Sequence, residues 1–346
     1  MNSYSKNVLA LDFDGVICAS STESSVSSIV AAKKIWPTKV VDLSNKYEFE
    51  IIKNIVSDVR PIIETGYENI LVVRYSTERW YEFREAVPDA SNEIVSLWRK
   101  TMAEKIMGTW NPKFRDSLLA EYGAGREELV DLFGSTRDEM IQNDANYWIG
   151  LNGLYSTVSD TLRAVSCMYG VDKEQYLFKN LFIVTTKQQR FVKAILEKND
   201  IHVIHTIGIS NTSPALEQPD TADFSNIFDL DNAYGSKVKV LLTLTRRMKA
   251  SRATSDDPLT IHFVEDRFET LINVLENDKT LREQVASGVM TAEEAQARSL
   301  SHVQLYLADW GYNTEEQRNI ARLKHSDRIK VISQIEFQEL VQTVLP

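Results

Sequence analysis

The chain has only two cysteines, Cys18 and Cys167, in 346 residues. That excludes a disulfide framework of the kind that staples small secreted domains. It has five histidines, His202, His205, His262, His302 and His325, and none falls at Cys/His zinc spacing. His202 and His205 are three apart in a strand-like stretch whose alternate side chains face opposite ways, which favours a structural role over a metal site. No apolar run approaches the ~18 residues needed to cross a bilayer. The apolar run that ends at Asp12 is too short for a signal peptide, so a cytoplasmic protein is expected. Positive charge is also scarce. With 39 Lys and Arg against 49 Asp and Glu, the formal net charge is −10. This disfavours nucleic acid as a partner, because phosphate-backbone binding rests on clustered Lys and Arg. It also means that a phosphate-bearing substrate must be attracted locally, against the field of the whole molecule. No internal repeat or long low-complexity tract is present.

What is present reads as an ordinary globular protein of about two domains, with 43% hydrophobic and 25% charged residues. Six short, almost wholly apolar runs stand out: Val8–Leu11, Leu181–Val184, Ile201–Ile204, Ile261–Val264, Val303–Leu307 and Ile329–Ile332. Continuous rather than alternating apolar runs suit strands buried on both faces of a parallel sheet. Helix-like segments lie between most of them. Gln189–Lys198 places Phe191, Ala194 and Ile195 at helical spacing, and Ser236–Lys249 does the same with Val240, Leu241 and Leu244. The alternation predicts an α/β fold with a parallel sheet. Between the first two strands, residues 19–178 read as helix almost throughout, with Trp80, Phe83, Trp98, Trp110, Phe114, Phe133 and Trp148 interleaved with charge. That is far too long for a crossover, so a helical domain is expected there, inserted into a core made of residues 1–18 and 179–346. Arg60-Pro61 and Val87-Pro88 mark helix starts or breaks. Residues 212–222 and 250–258 read as surface loops, and Glu283–Ser301 as a charged helical excursion.

The chemistry gathers at strand ends. The first strand runs into Asp12-Phe13-Asp14-Gly15, two carboxylates two apart followed by a turn residue. In an open α/β sheet, ligands bind beyond the carboxyl ends of strands, so both aspartates should project into that crevice. Neighbouring carboxylates repel and call for a shared proton or a cation. A hard divalent ion such as Mg²⁺ takes oxygen ligands and is the natural partner. The second strand ends in Thr185-Thr186-Lys187, and the strand at Ile261 ends in Glu265-Asp266-Arg267. Tyr234-Gly235-Ser236-Lys237 opens a helix, where backbone N–H groups and a lysine can meet an anion.

In these motifs the chain resembles the haloacid dehalogenase-like superfamily. The first motif is Asp12-Phe13-Asp14-Gly15-Val16, the second Thr185, the third Lys237 in Gly-Ser-Lys-Val-Lys-Val-Leu, and the fourth Glu265-Asp266. Asp309-Trp310-Gly311-Tyr312 after a late strand adds to the likeness. The resemblance implies a Rossmann-like parallel sheet, first and fourth motifs on neighbouring strands, and an inserted helical cap of the C1 type. Stretches such as Val59–Glu68 and Val184–Gln188 look like a plant and cyanobacterial-type, phosphoglycolate phosphatase-like subgroup.

The resemblance further implies a phosphatase acting on small phosphate monoesters. Asp12 would attack phosphorus, forming an aspartyl-phosphate, and Asp14 would serve the leaving alcohol and then the water as acid and base. Thr185 would donate to a phosphoryl oxygen, and Lys237 would place a positive charge there. Gly15, Thr186 and Lys187 are candidate substrate-binding positions. Mg²⁺ would be held by Asp12, the Asp14 carbonyl and Asp266, with Glu265 holding a water or orienting Lys237. On a helix Lys239 points about 200° away from Lys237, so Lys237 is preferred. Asp14 also argues against a 2-haloacid dehalogenase, since halide departs without a proton. A phosphomutase, or a phosphonatase using a lysine such as Lys33, Lys34 or Lys39, remains open on these motifs. A binding protein that lost activity is disfavoured because the motif residues are all present. Glu23, Arg60, Glu64 and Arg137 are the candidate specificity residues of the cap, and Cys18 is expected to be buried. Cap closure would bend the chain near 16–20 and 176–180.

Overall fold

The computed structural model describes residues 7–168, 180–201, 205–208, 236–250 and 258–345. In chain order the elements are β1 (Asn7–Leu11), β2 (Cys18–Ala19), α1 (Ser21–Ile35), α2 (Lys46–Asp58), α3 (Glu68–Ala86), α4 (Asn92–Thr109), α5 (Pro112–Tyr122), α6 (Arg126–Gly150), β3 (Gly153–Leu154) and α7 (Ser156–Met168). After these come β4 (Leu181–Thr185), α8 (Gln189–Lys198), β5 (His205–Gly208), α9 (Lys237–Ala250), β6 (Thr260–Glu265), α10 (Phe268–Ala286), α11 (Ala292–Arg298), β7 (Val303–Ala308), α12 (Glu315–Lys324), β8 (Ile329–Ile332) and α13 (Gln334–Val344). The expectations for His202, Tyr234 and Gly235, for the loops at 212–222 and 251–257, and for a hinge at 176–179 lie outside the described residues.

The chain forms two compact units, Met1–Ala19 with Leu154–Pro346, and Ser20–Gly153. In the first, six strands among the described residues form one sheet in the order β5-β4-β1-β6-β7-β8. Every described pairing in it is parallel. β1 is central because it is apolar on both faces: Val8, Leu9, Ala10 and Leu11 are fully buried. Val8 and Ala10 join a core with Phe263, Leu305, Val240, Leu241, Leu244 and Leu271, so β1, β6 and β7 pack there against α9 and α10. The sheet places β4 on one side of β1 and β6 on the other. The order reverses at β1, which makes its carboxyl end the switch point where a crevice opens.

One sequence expectation is corrected, and one falls mostly outside the described residues. Of the strand expected at Ile201–Ile204, Ile201 is buried and outside regular structure, residues 202–204 lie outside the described residues, and β5 is described at His205–Gly208. The return to the core comes earlier in the chain than the expected residue 179: the first unit resumes at Leu154 and includes α7. α7 buries Val158, Leu162 and Val165 at helical spacing. That periodicity shows an amphipathic helix but not which core it faces, and α7 packs against α13 of the sheet-bearing unit.

The second unit is helical from α1 to α6. α3 buries four consecutive residues, Ile70 to Val73, together with Trp80, as expected of a helix packed on several sides. α2 and α4 line it with Ile52, Ile55, Met102 and Ile106. α2 stops at Asp58, just ahead of Pro61, and α3 at Ala86, just ahead of Pro88. α6 is interrupted at Asp144, whose carboxylate caps the following turn by accepting the Tyr147 N–H at 2.9 Å. No helix among the described residues is long and apolar enough to cross a membrane.

Candidate active site

The carboxyl ends of three adjacent strands converge. β1 is hydrogen-bonded to β4 and β6, and the ladder continues one residue past β1, where the Asp12 N–H donates to the Val264 carbonyl at 2.9 Å. Asp12 therefore leaves β1 beside Glu265 and Asp266, and Thr185 ends the strand on the opposite side. Gly15 turns the chain away at φ +88°, a left-handed conformation that glycine adopts without cost. A Cβ at Gly15 would lie 1.9 Å from Asp266 Oδ2. The turn thus needs glycine for its backbone angle and again for the carboxylate it lies against.

Lys237, the first residue of α9, inserts its ammonium between two carboxylates. Its Nζ is 2.7 Å from Asp12 Oδ2 and 2.7 Å from Glu265 Oε2. The other oxygen of each carboxylate is also engaged. Asp12 Oδ1 accepts the Phe13 N–H at 2.7 Å, and Glu265 Oε1 accepts the Arg267 N–H at 3.0 Å. Glu265 thus contacts Lys237 directly. Lys239, two residues on, is exposed, as the helical period requires.

Burial dominates the electrostatics. It pushes the Asp12 carboxyl up to about 7, with the Glu265 charge adding to the effect and Lys237 opposing it. Glu265 is raised as well, first by burial. Burial alone would pull Lys237 down, but the charges of Asp12 and Glu265 outweigh it and hold the ammonium above the ordinary lysine range.

The second aspartate faces another lysine. Lys187 Nζ lies 3.2 Å from Asp14 Oδ1, and the lysine side chain is 1% exposed against 12% for the aspartate. Lys187, expected to touch substrate, is thus placed against Asp14. Its backbone N–H donates to Thr185 Oγ1 at 3.0 Å. A hydroxyl that accepts such a bond keeps its own proton for donation. Thr185 is fully buried and Thr186 half-buried.

Oxygen ligand atoms of Asp12, Glu265 and Asp266 all lie within 4.8 Å of one another. Burial and the mutual repulsion of these carboxylates raise Asp12 and Glu265, and an added positive charge would relieve both. The cluster's donors are all hard oxygens, which suit Mg²⁺. Gly15 and Gly311 leave room where a side chain would collide with Asp266, so the residues present fit a small divalent cation.

The cap residues singled out in the sequence behave differently. Glu23 and Arg137 form a bidentate pair at 2.7 Å for both bonds, buried inside the helical unit with Ser27 Oγ donating to Glu23 Oε1. Arg60 donates to the Ile63 carbonyl at 2.9 Å, and Glu64 is exposed. Lys33 donates to the Val40 carbonyl, and Lys34 pairs with Glu139. Cys18 is buried. Sequence reading missed the turn after β7 as a partner of Asp266: the Tyr312 N–H donates to Asp266 Oδ2 at 2.8 Å. Its sequence signal is the Asp309-Trp310-Gly311-Tyr312 stretch at a strand's carboxyl end, which carries no mark of Asp266 as its partner.

The chain matches no family model and no curated protein. It is similar to several solved structures. A predicted phosphatase from Clostridium acetobutylicum is 14% identical, with 97% of this chain and 98% of that one covered and a TM-score of 0.44. A predicted phosphoglycolate phosphatase from Haemophilus somnus 129PT is 14% identical, with 98% and 99% covered and a TM-score of 0.42. A haloacid dehalogenase-like family hydrolase from Streptococcus pneumoniae is 12% identical, with 97% and 99% covered and a TM-score of 0.42.

Proposed function

We propose that the chain is a haloacid dehalogenase-like, Mg²⁺-dependent phosphatase that hydrolyses small phosphate monoesters through Asp12. The observation that carries this reading is the pairing of two differently held aspartates at one strand end. Asp12 is locked beside Lys237 in a carboxylate cluster, and Asp14, two residues on, stands against Lys187. A nucleophile must be fixed, and bonds to both Asp12 oxygens fix it. Attack of an Asp12 oxygen on phosphorus forms the aspartyl-phosphate while the phosphorus–oxygen bond to the alcohol breaks. Asp14 gives that alcohol its proton, then takes one from the water that opens the intermediate. Lys237 offers a fixed positive charge to the phosphoryl group, and the Thr185 hydroxyl can donate to one of its oxygens. Asp12 and Asp266, with the Asp14 carbonyl, would hold Mg²⁺, which when bound neutralises charge on the transferring group.

Asp14 separates this reading from haloacid dehalogenation, whose leaving halide needs no proton. The experiment is a turnover screen with p-nitrophenyl phosphate and small alkyl phosphates, with Mg²⁺ or with EDTA. Phosphate release that requires Mg²⁺ and is lost in Asp12→Asn supports the proposal. Metal-independent halide release from a 2-haloacid without phosphatase activity overturns it, as does full activity in Asp12→Asn.

A further inference from the structure

The regular ladder between β6 and β7 ends at Glu265 paired with Leu307. The next residue of β6's chain is Asp266, so its backbone and carboxylate must find partners elsewhere. They find them in one turn. Asn313 Nδ2 donates to the Asp266 carbonyl and to the Ala308 carbonyl, both at 2.8 Å, tying the ends of the two strands together where they part. Its amide oxygen Oδ1 accepts from Arg318 Nη1 at 2.8 Å. Arginine only donates and carbonyls only accept, so this network fixes which way the amide points.

Arg318 itself is anchored. Its Nε and Nη2 donate to Glu315 Oε2 at 3.0 and 2.7 Å, and its Nη1 also reaches the Asn313 and Asp309 carbonyls at 3.2 and 3.3 Å. The Thr314–Gln317 capping box starts α12 in the same place, so both Glu315 and Arg318 lie on its rigid first turn. On the other side of the turn, a Cβ at Gly311 would lie 2.3 Å from Asp266 Cβ and 2.6 Å from the Gly15 carbonyl. The Tyr312 N–H can therefore approach Asp266 Oδ2 to 2.8 Å.

We infer that Asn313, held by Arg318, is a positioning residue that sets the metal affinity of Asp266. It holds the Asp266 backbone from one side while the turn it braces presents the Tyr312 N–H to the carboxylate from the other. The inference rests on the reading of Asp266 as a metal ligand. Outer partners of metal ligands typically contribute about 10–100-fold in affinity, and Asn313 reaches Asp266 without being placed to touch metal or ester itself.

The test is calorimetric titration of the full-length protein with Mg²⁺, and with Mn²⁺ as a second probe. Wild type is compared with Asp266→Asn, Asn313→Ala, Arg318→Met and Arg318→Lys, and folding of each metal-free variant is checked by circular dichroism and thermal melting. Expected are loss of binding in Asp266→Asn, about 10–100-fold weaker binding in Asn313→Ala and Arg318→Met, and partial recovery in Arg318→Lys. The Mg²⁺ concentration for half-maximal turnover should rise in step, with turnover regained at saturating metal. Unchanged affinity in folded Asn313→Ala and Arg318→Met, with binding still lost in Asp266→Asn, overturns this inference and leaves the proposed function standing. Wild-type affinity in Asp266→Asn, or no binding by the wild type, overturns both.

Discussion

Lys187 sets its ammonium 3.2 Å from Asp14 Oδ1, from the strand that neighbours the one ending in Asp12. Two aspartates in one short motif thus meet two different lysines from two different parts of the chain. Lys237 bridges Asp12 to Glu265, whereas Lys187 engages Asp14. Unequal surroundings are what allow like residues to take unlike roles.

Asp14→Asn should reveal the acid–base role through the leaving group. General acid–base catalysis is worth about 10²–10⁴-fold. Turnover of alkyl phosphates should fall by that order, while p-nitrophenyl phosphate, whose phenolate leaves readily, loses far less. Comparing the first-turnover rate of alcohol or phenolate release for the two ester types in the same variant checks this, because the later hydrolysis of the intermediate is common to both. An equal loss in that first step rejects the acid role.

Lys237→Met should destabilise the fold as well as abolish activity. It would strand Asp12 and Glu265, both buried, without their shared cation, and breaking a buried pair from one side costs about 3–5 kcal/mol. Urea unfolding measures the loss.

Gly15→Ala should weaken metal binding. Its Cβ would fall 1.9 Å from Asp266 Oδ2 and 2.8 Å from Tyr312 Cδ2, and φ +88° adds about 1–3 kcal/mol of backbone strain. The carboxylate or the turn must shift, so Mg²⁺ titration should show reduced affinity along with a lower Tm.

In the helical unit, Arg137→Met should cost about 3–5 kcal/mol by leaving Glu23 buried and unmatched. Adding Glu23→Gln to Arg137→Met should recover much of that loss. A double-mutant cycle by urea unfolding gives the coupling, and additive effects would contradict the pairing.

His302 predicts an acid-side loss of stability. Burial, helped by the Lys249 charge, lowers its pKa to about 4 from the ordinary 6.5, and its Nε2 lies 3.0 Å from Thr245 Oγ1. The unfolded chain binds the proton more readily, so stability rises with pH across this window. The contribution is complete above about 6.5 and disappears as pH falls toward 4. Thermal melts of wild type and His302→Gln between pH 4 and 7 should show a shallower pH dependence in the variant.

The order in which these features became visible follows their physical range. Strand β1 was legible because four consecutive apolar residues have few other uses, and Asp12, Asp14, Thr185, Lys237, Glu265 and Asp266 could be singled out because they sit at or just beyond the ends of elements. A strand's direction and a helix's first turn are local properties, and local chemistry dictates them. The side of the molecule on which α7 packs was not legible, since an amphipathic face records that a helix is buried and not what buries it. Nor were the partners. Lys187 with Asp14, and Arg137 with Glu23, are joined across 173 and 114 residues, and no spacing rule links them. Asn313 and Arg318 were invisible for the same reason: an asparagine in a turn and an arginine on a helix are common, and their meaning depends on Asp266 arriving from another strand. By itself, then, the sequence determined the α/β alternation, the helical insertion and the residues at the strand ends, because hydrophobic patterning and turn chemistry act over a few residues. Only the tertiary structure decided which carboxylate meets which lysine and what braces Asp266, because those contacts exist only once the parallel sheet has brought distant strand ends side by side.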